Sequence, residues 1–238
     1  MNFIDYIVIA LVLVYILHGV YRGFLTSLMN MGAVFLSWII SFLAYPLVSA
    51  QFVRNGMFDI VRYFIGGSDR IAGGFEVRNI AVSSISADQL DSILQGANLP
   101  FPYGEAVSAN VANQAFASSP DITTIGDYFE ATFASIIVNI AAFALLYIVL
   151  RVAITVITNG LSYSMDLPQL KHFDSLLGGG IGLLRGVFAM YIFFLVVPIV
   201  LIALQVSFIE DFVSGSAFSN VFYSNNIILH FISGSVPL

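Results

Sequence analysis

Residues 24–47 have the sequence FLTSLMNMGAVFLSWIISFLAYPL, in which no Asp, Glu, Lys or Arg occurs. A helix of about 20 predominantly apolar residues crosses the roughly 30 Å hydrocarbon core of a bilayer. Three further stretches meet this requirement: Phe3 to Tyr21, Phe129 to Leu150 and Ser175 to Ser207. The sequence therefore predicts an all-α membrane protein, with about four transmembrane helices arranged as two helical hairpins.

The composition of the chain supports a membrane fold and excludes several partners. Of its 238 residues, 59% are apolar and 9% are charged, and the mean hydropathy is +0.94. An ordinary soluble domain has roughly 25% charged residues, which help to cover its surface. Eight scattered Lys and Arg in a chain of net charge −6 argue against a nucleic-acid partner. Because cysteine is absent, disulfides and thiolate metal sites are excluded.

The positions of the basic residues predict the orientation of the two hairpins. Arg22 follows the first span, and Arg151 and Lys171 lie between the third and fourth spans. Cytoplasmic connections are enriched in Lys and Arg, so we expect both bends inside and both termini outside the cytoplasm. The predicted regions are a first transmembrane hairpin (1–47), an extracytoplasmic loop or cap (48–128), a second hairpin (129–207) with a cytoplasmic connection (151–174), and an extracytoplasmic or interfacial tail (208–238).

The long loop between the second and third spans is expected to be mostly helical. Apolar residues recur with helical spacing, and the breakers Gly66-Gly67, Gly73-Gly74 and the Pro100-to-Gly104 stretch divide the loop into short pieces. Asp127 and Glu130 are a candidate capping pair for the third span. Pro198 predicts a kink in the last span.

One pattern occurs twice in the chain. Residues 19–24 (GVYRGF) and 182–187 (GLLRGV) share Gly-x-x-Arg-Gly followed by an apolar residue. Glycines four apart allow helix backbones to approach closely in lipid, and Gly178 extends this stripe in the second copy. Two hairpins related by pseudo-symmetry would explain the repeat, and so would chance or simple turn chemistry.

Arg185, in the second copy, has two interpretations. If the last helix begins at Asp174, Arg185 lies about 16 Å along it, where a charge is costly and usually functional. If the glycine-rich stretch is instead a surface or re-entrant segment, the span begins at Val187 and Arg185 anchors its inner end. We favour the anchor, because Arg22 stands in the same relation to its own span.

Two carboxylates, those of Asp174 and Asp5, are further candidate site residues, and neither suggests catalysis. Asp174 is a candidate N-cap of the last helix and a candidate partner for Arg22 or Arg185. Asp5 is interpreted as an interfacial charge rather than a proton carrier. The histidines are isolated, no nucleophile and base are paired, and the glycine run has no Gly-Lys-Ser/Thr ending. We therefore expect no enzyme, and no catalytic, cofactor-binding or metal-ligating residues.

Three sets of residues resemble the colicin V production protein family. They are Ile4-Asp5-Tyr6, Tyr21-Arg22-Gly23-Phe24, and the Phe173-to-Gly178 segment followed by Gly182-to-Gly186. The resemblance covers both hairpins and the tail around residues 219–227. It implies a bacterial inner (plasma) membrane protein with a role in making or exporting a secreted toxin, or in the envelope homeostasis on which export depends. The positions carried over, without a catalytic role, are Asp5, Arg22, Gly23, Asp174, Gly182, Arg185 and Gly186.

Two functions follow as hypotheses. The first is a non-enzymatic membrane protein that supports toxin production or envelope integrity through partners in the bilayer. Those partners are lipid together with further copies of the chain or other membrane proteins, and no nucleic acid. The alternative is a small oligomeric channel or transporter, in which glycine-rich helices and Arg185 line a solute path.

Overall fold

The computed structural model describes residues 2–163, 173–204, 207–234 and 236. Within these ranges the regular elements are helical, apart from an isolated antiparallel bridge between Ala81 and Thr124. The predicted all-α class is therefore confirmed. The α-helices are α1 (Phe3–Arg22), α2 (Phe24–Arg54), α3 (Met57–Ile65), α4 (Gly74–Arg78), α5 (Ala87–Ala97), α6 (Tyr103–Ala112), α7 (Ile125–Tyr163), α8 (Asp174–Phe193), α9 (Val197–Leu204), α10 (Ser207–Ser214), α11 (Ala217–Ser219) and α12 (Ile227–Ile232).

Four helical segments of the described chain are long and apolar enough to cross a membrane, as predicted. They are Phe3–Arg22, Phe24–Arg54, Ile125–Thr158 and Asp174–Leu204. Helix α2 continues through Pro46, which membrane helices tolerate. Lys171, which helped to orient the second hairpin, lies outside the described residues.

The α-helix of the last span is interrupted, in agreement with the kink that Pro198 predicts. Helix α8 ends at Phe193, a 3₁₀ turn follows over Phe194–Val196, and α9 then contains Pro198 near its start. Proline has no N–H to donate to the preceding turn, so it is accommodated best in the first turn of a helix.

The residues that cap the start of α7 differ from the expected pair, Asp127 and Glu130. The Thr124 N–H donates to Asp127 Oδ2 over 3.0 Å, and the Asp127 N–H donates to Thr124 Oγ1 over 3.2 Å. Asp127 therefore caps together with Thr124, in a reciprocal arrangement like a capping box. Glu130 instead accepts hydrogen bonds from Ser68 Oγ (2.7 Å) and Arg62 Nε (3.3 Å).

The chain forms two compact units, to both of which α2 and α7 contribute. The first unit comprises Met1–Tyr45, Phe143–Phe194 and Ser207–Asn226, and the second comprises Pro46–Ala142, Leu195–Val206 and Ile227–Leu238. The predicted division at residues 47, 128 and 207 describes the expected course through the membrane, and it stays a prediction.

In the second unit the first half of α7 is the central element. Residues 131–140 are all buried. The rings of Tyr103 and Phe133 pack with centroids 4.5 Å apart, and the Tyr103 hydroxyl donates to the Pro198 carbonyl over 3.2 Å. Buried Asn139 donates to the carbonyls of Ile232 (2.8 Å) and Gly234 (2.9 Å). Large side chains and polar contacts together therefore fill this core.

Candidate functional site

The two Gly-x-x-Arg-Gly copies belong to α1 and α8, which pack against each other in the first unit. A Cβ on Gly182 would stand 3.0 Å from the Cα of Ile16, and one on Gly186 would stand 3.4 Å from the Cα of Val12. Near the other end of the pair, a Cβ on Gly178 would stand 2.8 Å from the carbonyl carbon of Gly23. Later residues of α8 thus contact earlier residues of α1, so the two helices are antiparallel. Their backbones touch, which only glycine at these positions permits.

Gly23 is required at the bend between α1 and α2 for two reasons. Its φ of +76° lies in the left-handed region that favours glycine, and a Cβ there would stand 2.9 Å from the carboxyl carbon of Asp174. The Gly23 N–H donates to the Gly19 carbonyl over 3.0 Å, which closes the last turn of α1. The bend is therefore built for the approach of α8.

Asp174 has a different role from the predicted ones. It is the first residue of α8, whose N-cap is Phe173, and its Oδ1 accepts a hydrogen bond from the N–H of Phe24 over 2.9 Å. Phe24 begins α2, so this N–H has no partner within its own helix. No ion pair joins Asp174 to Arg22 or Arg185, all of which the structure describes. Asp174 thus caps α2 from the neighbouring hairpin.

The helix that contains Arg185 begins where the first of its two interpretations placed it, whereas the depth of Arg185 in the membrane stays a prediction. The glycine-rich stretch before it is part of α8, which begins at Asp174 and packs along α1, so it is no separate surface segment. The guanidinium carbon of Arg185 lies 5.1 Å from the centroid of the Tyr15 ring, a cation–π contact. Its Nε is buried without a hydrogen-bond partner. An ionisable group inside a membrane span is costly and marks a candidate functional residue.

Further charged and aromatic groups lie within electrostatic range of Arg185. These groups are Arg22 on α1, Arg151 and Tyr147 on α7, and Tyr15, whose ring Arg185 contacts. The sequence pattern selects Arg22 among them, but it does not assign Tyr15, Tyr147 or Arg151 to a site. Helical spacing could have indicated this group. Tyr15 and Arg22 are seven residues apart on α1, and Tyr147 and Arg151 are four apart on α7, so each pair shares a helix face.

Asp5 lies near the other end of α1 and is completely buried within the protein, and its position at the membrane interface stays a prediction. Its Oδ1 accepts hydrogen bonds from Ser216 Oγ (2.7 Å) and the Phe218 N–H (3.2 Å), and its Oδ2 accepts one from the Asn2 N–H (2.7 Å). Asn2 in turn caps α1. The Asn2-x-x-Asp5 spacing of a capping box was visible in the sequence, but the contact with the tail was not.

The tail is also held to α8 within the first unit. Asn226 Nδ2 donates to the Tyr191 carbonyl over 2.9 Å, and the Tyr191 and Phe222 rings meet edge to face with centroids 5.3 Å apart. Burial raises the pKa of the Tyr223 phenol above its usual value. Among the described residues no cluster of His, Asp or Glu could hold a metal ion.

The paired apolar helices, joined through glycine backbones and carrying arginine inside a span, define an all-α integral membrane protein. Residues 111–227 match the sequence model of the family described as colicin V production protein. This match confirms, over that region, the predicted resemblance to the family. It includes α7, α8, the second glycine–arginine copy and most of the tail, whereas the first hairpin lies before it. Comparison with curated proteins and with solved structures gave no match.

Proposed function

We propose that this protein is a non-enzymatic component of the bacterial inner membrane that supports the production or export of a secreted peptide toxin, or the envelope homeostasis on which export depends. The observation that carries the proposal is the family match over residues 111–227. The description of that family refers to colicin V production. The matched region contains the α8 half of the helix pair, so the pair is the first element to test.

The contacts of the first unit support a scaffold rather than a reaction centre. The α1–α8 contact joins backbones, and the carboxylates of Asp5 and Asp174 accept hydrogen bonds from backbone N–H groups and from Ser216. Both carboxylates hold helices and the tail in place. Large apolar side chains of the spans remain exposed, among them Leu43 (74%) and Leu47 (76%). We propose that lipid and other membrane proteins, or further copies of the chain, cover them.

A complementation experiment tests the proposal. A strain that carries the colicin V genes and lacks the gene for this protein receives the wild type, Gly182→Leu or, as the matched control, Gly180→Ala. A Cβ added at Gly180 would have no neighbouring heavy atom within 4 Å. We expect wild type and Gly180→Ala to restore secreted toxin and detergent resistance, and Gly182→Leu to restore neither at equal expression. Equal toxin secretion and detergent resistance with and without the gene would contradict the proposal.

Liposome flux separates this function from the channel alternative. The purified chain, reconstituted alone, is expected to give no solute flux above that of protein-free liposomes. A flux that Arg185→Ala abolishes would contradict the scaffold and support a solute path.

We further propose that both bends face the cytoplasm and that the termini and the long loop face outward. Because the chain has no cysteine, single cysteines can report this orientation without background. Exposed positions at the first bend and in α5 suit the test, as Tyr21→Cys and Asp91→Cys. In intact cells stripped of the outer membrane, an impermeant thiol reagent should label position 91 and not position 21. The reverse result would overturn the orientation.

A further inference from the structure

Three arginines of the first unit have no acidic partner among the residues that the structure describes. Arg22, Arg151 and Arg185 lie on α1, α7 and α8, and no ion pair of the described residues includes any of them. Arg185 interacts electrostatically with both of the others, and His18 lies within electrostatic range of Arg185 and Arg22. Like charges within electrostatic range of each other repel, and an anion bound near them would relieve that repulsion.

The nearby carboxylates do not supply that anion. The Asp174 carboxylate accepts a hydrogen bond from the N–H of Phe24 at the bend. The Asp5 carboxylate, near the far end of α1, accepts hydrogen bonds from Asn2, Ser216 and Phe218. Asp5 lies seventeen residues from Arg22, about 25 Å along the helix. Among the described residues, therefore, no carboxylate forms an ion pair with Arg22, Arg151 or Arg185.

Arg185 contacts the Tyr15 ring, but its hydrogen-bond donors are not all satisfied. The Tyr15 ring covers one face of its guanidinium group, and its Nε is buried without a partner. A buried donor without an acceptor lowers stability, and the loss is larger for a charged group. The side chain is only partly buried as a whole, as are Arg151 and His18, so a ligand can reach the group from the surface of the first unit.

The chemistry of these groups selects a phosphate-bearing ligand. Guanidinium groups bind phosphate through paired N–H donors, and basic sites between membrane helices near the cytoplasmic face bind acidic headgroups. Leu17 and Leu184, next to the site in sequence on α1 and α8, are 65% and 50% exposed, and acyl chains would cover them. We propose that Arg185, Arg151 and Arg22 bind the phosphate of an anionic phospholipid. This inference rests on the proposed orientation of the bends toward the cytoplasm and not on the proposed role in toxin production.

Native mass spectrometry of the full chain in neutral detergent tests the inference. The protein is titrated with phosphatidylglycerol, with zwitterionic phosphatidylcholine, and with phosphatidylglycerol in the presence of excess inorganic phosphate. We expect about tenfold tighter binding of phosphatidylglycerol than of phosphatidylcholine, with no displacement by inorganic phosphate. Equal binding of the two lipids would overturn the proposal. Displacement of phosphatidylglycerol by inorganic phosphate would show that the site binds the free ion, and it would contradict lipid binding.

Matched variants locate the binding in the chain. Arg151→Gln combined with Arg185→Gln should remove the preference for phosphatidylglycerol. Arg54→Gln, which changes an exposed arginine at the end of α2, should leave it unchanged. Arg185→Lys keeps the charge but loses the paired donors, so it should bind with intermediate affinity even if the double variant folds poorly. Wild-type affinity in both Arg185→Lys and Arg151→Gln would contradict the site.

Discussion

The α1–α8 pair and the core around α7 in the second unit are both buried apolar helix contacts, but different means hold them together. In the pair, glycines bring backbone against backbone, and Gly178 and Gly182 have no side chain to interdigitate. In the second unit, the rings of Tyr103 and Phe133 fill the space around α7, and Asn139 ties α7 to the residues that follow α12.

This difference teaches where each region is sensitive to substitution. A contact between backbones cannot yield to an added side chain, because the main chain of both helices would have to move. A core of large side chains with a buried amide tolerates small shifts, but it loses stability when a hydrogen-bonding group is removed. Four substitutions test this contrast, from the largest expected effect to the smallest.

The largest effect is expected from Gly182→Leu. Its side chain would be driven into the backbone of α1 at Tyr15 and Ile16. We expect a loss of more than about 3 kcal/mol in the free energy of unfolding, above the usual range for overpacking because backbone must move. Unfolding in mixed detergent micelles measures this, and Gly180→Ala should be neutral or slightly stabilising. Equal stability of the two variants would show that the backbones are not in contact.

Asn139→Leu is the corresponding test in the second unit. It would leave the Ile232 and Gly234 carbonyls without their donor and Ser49 Oγ without its 2.7 Å acceptor. We expect a loss of about 2–3 kcal/mol, and about 1 kcal/mol for Ser49→Ala, which removes a single bond. Detergent unfolding measures both values. An Asn139→Leu protein as stable as the wild type would mean that packing alone holds this core.

Asp174→Ala is expected to cost about 1–2 kcal/mol, because the first N–H of α2 loses its acceptor. Asp174→Asn keeps an oxygen acceptor and should cost less than half as much. The exchange of Asp174→Arg with Arg22→Asp should not restore stability, since no ion pair exists to be rebuilt. Rescue by that exchange, together with an equal loss in the Ala and Asn variants, would instead support the pairing with arginine.

The smallest effect is expected from Arg62→Gln. Arg62 forms ion pairs with Asp127 (3.1 Å) and Glu130 (3.3 Å), and all three side chains are partly exposed. Pairs of this kind contribute less than about 1 kcal/mol, and salt weakens them. The loss should be measurable at low ionic strength and disappear at high salt. A loss as large as that of Asn139→Leu would place this ion-pair group among the main supports of the second unit.

Local signals in the sequence predicted the spans and the glycine contacts. Uncharged runs of sufficient length fixed the four segments, and glycines four apart indicated close helix packing. The partners of Asp174 and Asn139 could not be predicted, because each binds backbone atoms more than 90 positions away along the chain. The favoured interpretation of Arg185 assumed, by analogy with Arg22, that the last helix begins at Val187, whereas α8 begins at Asp174. The repeated motif ends a helix in one copy and lies inside a helix in the other.

Disulfide formation across the α1–α8 pair tests the central claim most directly. A Cβ on Gly179 would stand 2.9 Å from Val20 Cγ2, whereas one on Gly180 would meet nothing within 4 Å. Two cysteines form a disulfide when their Cβ atoms are about 3.5–4.5 Å apart. We predict that Val20→Cys with Gly179→Cys oxidises rapidly in native membranes, and that Val20→Cys with Gly180→Cys does not. Failure of the first pair to cross-link, or equal cross-linking of both, would contradict the packing of α8 along α1.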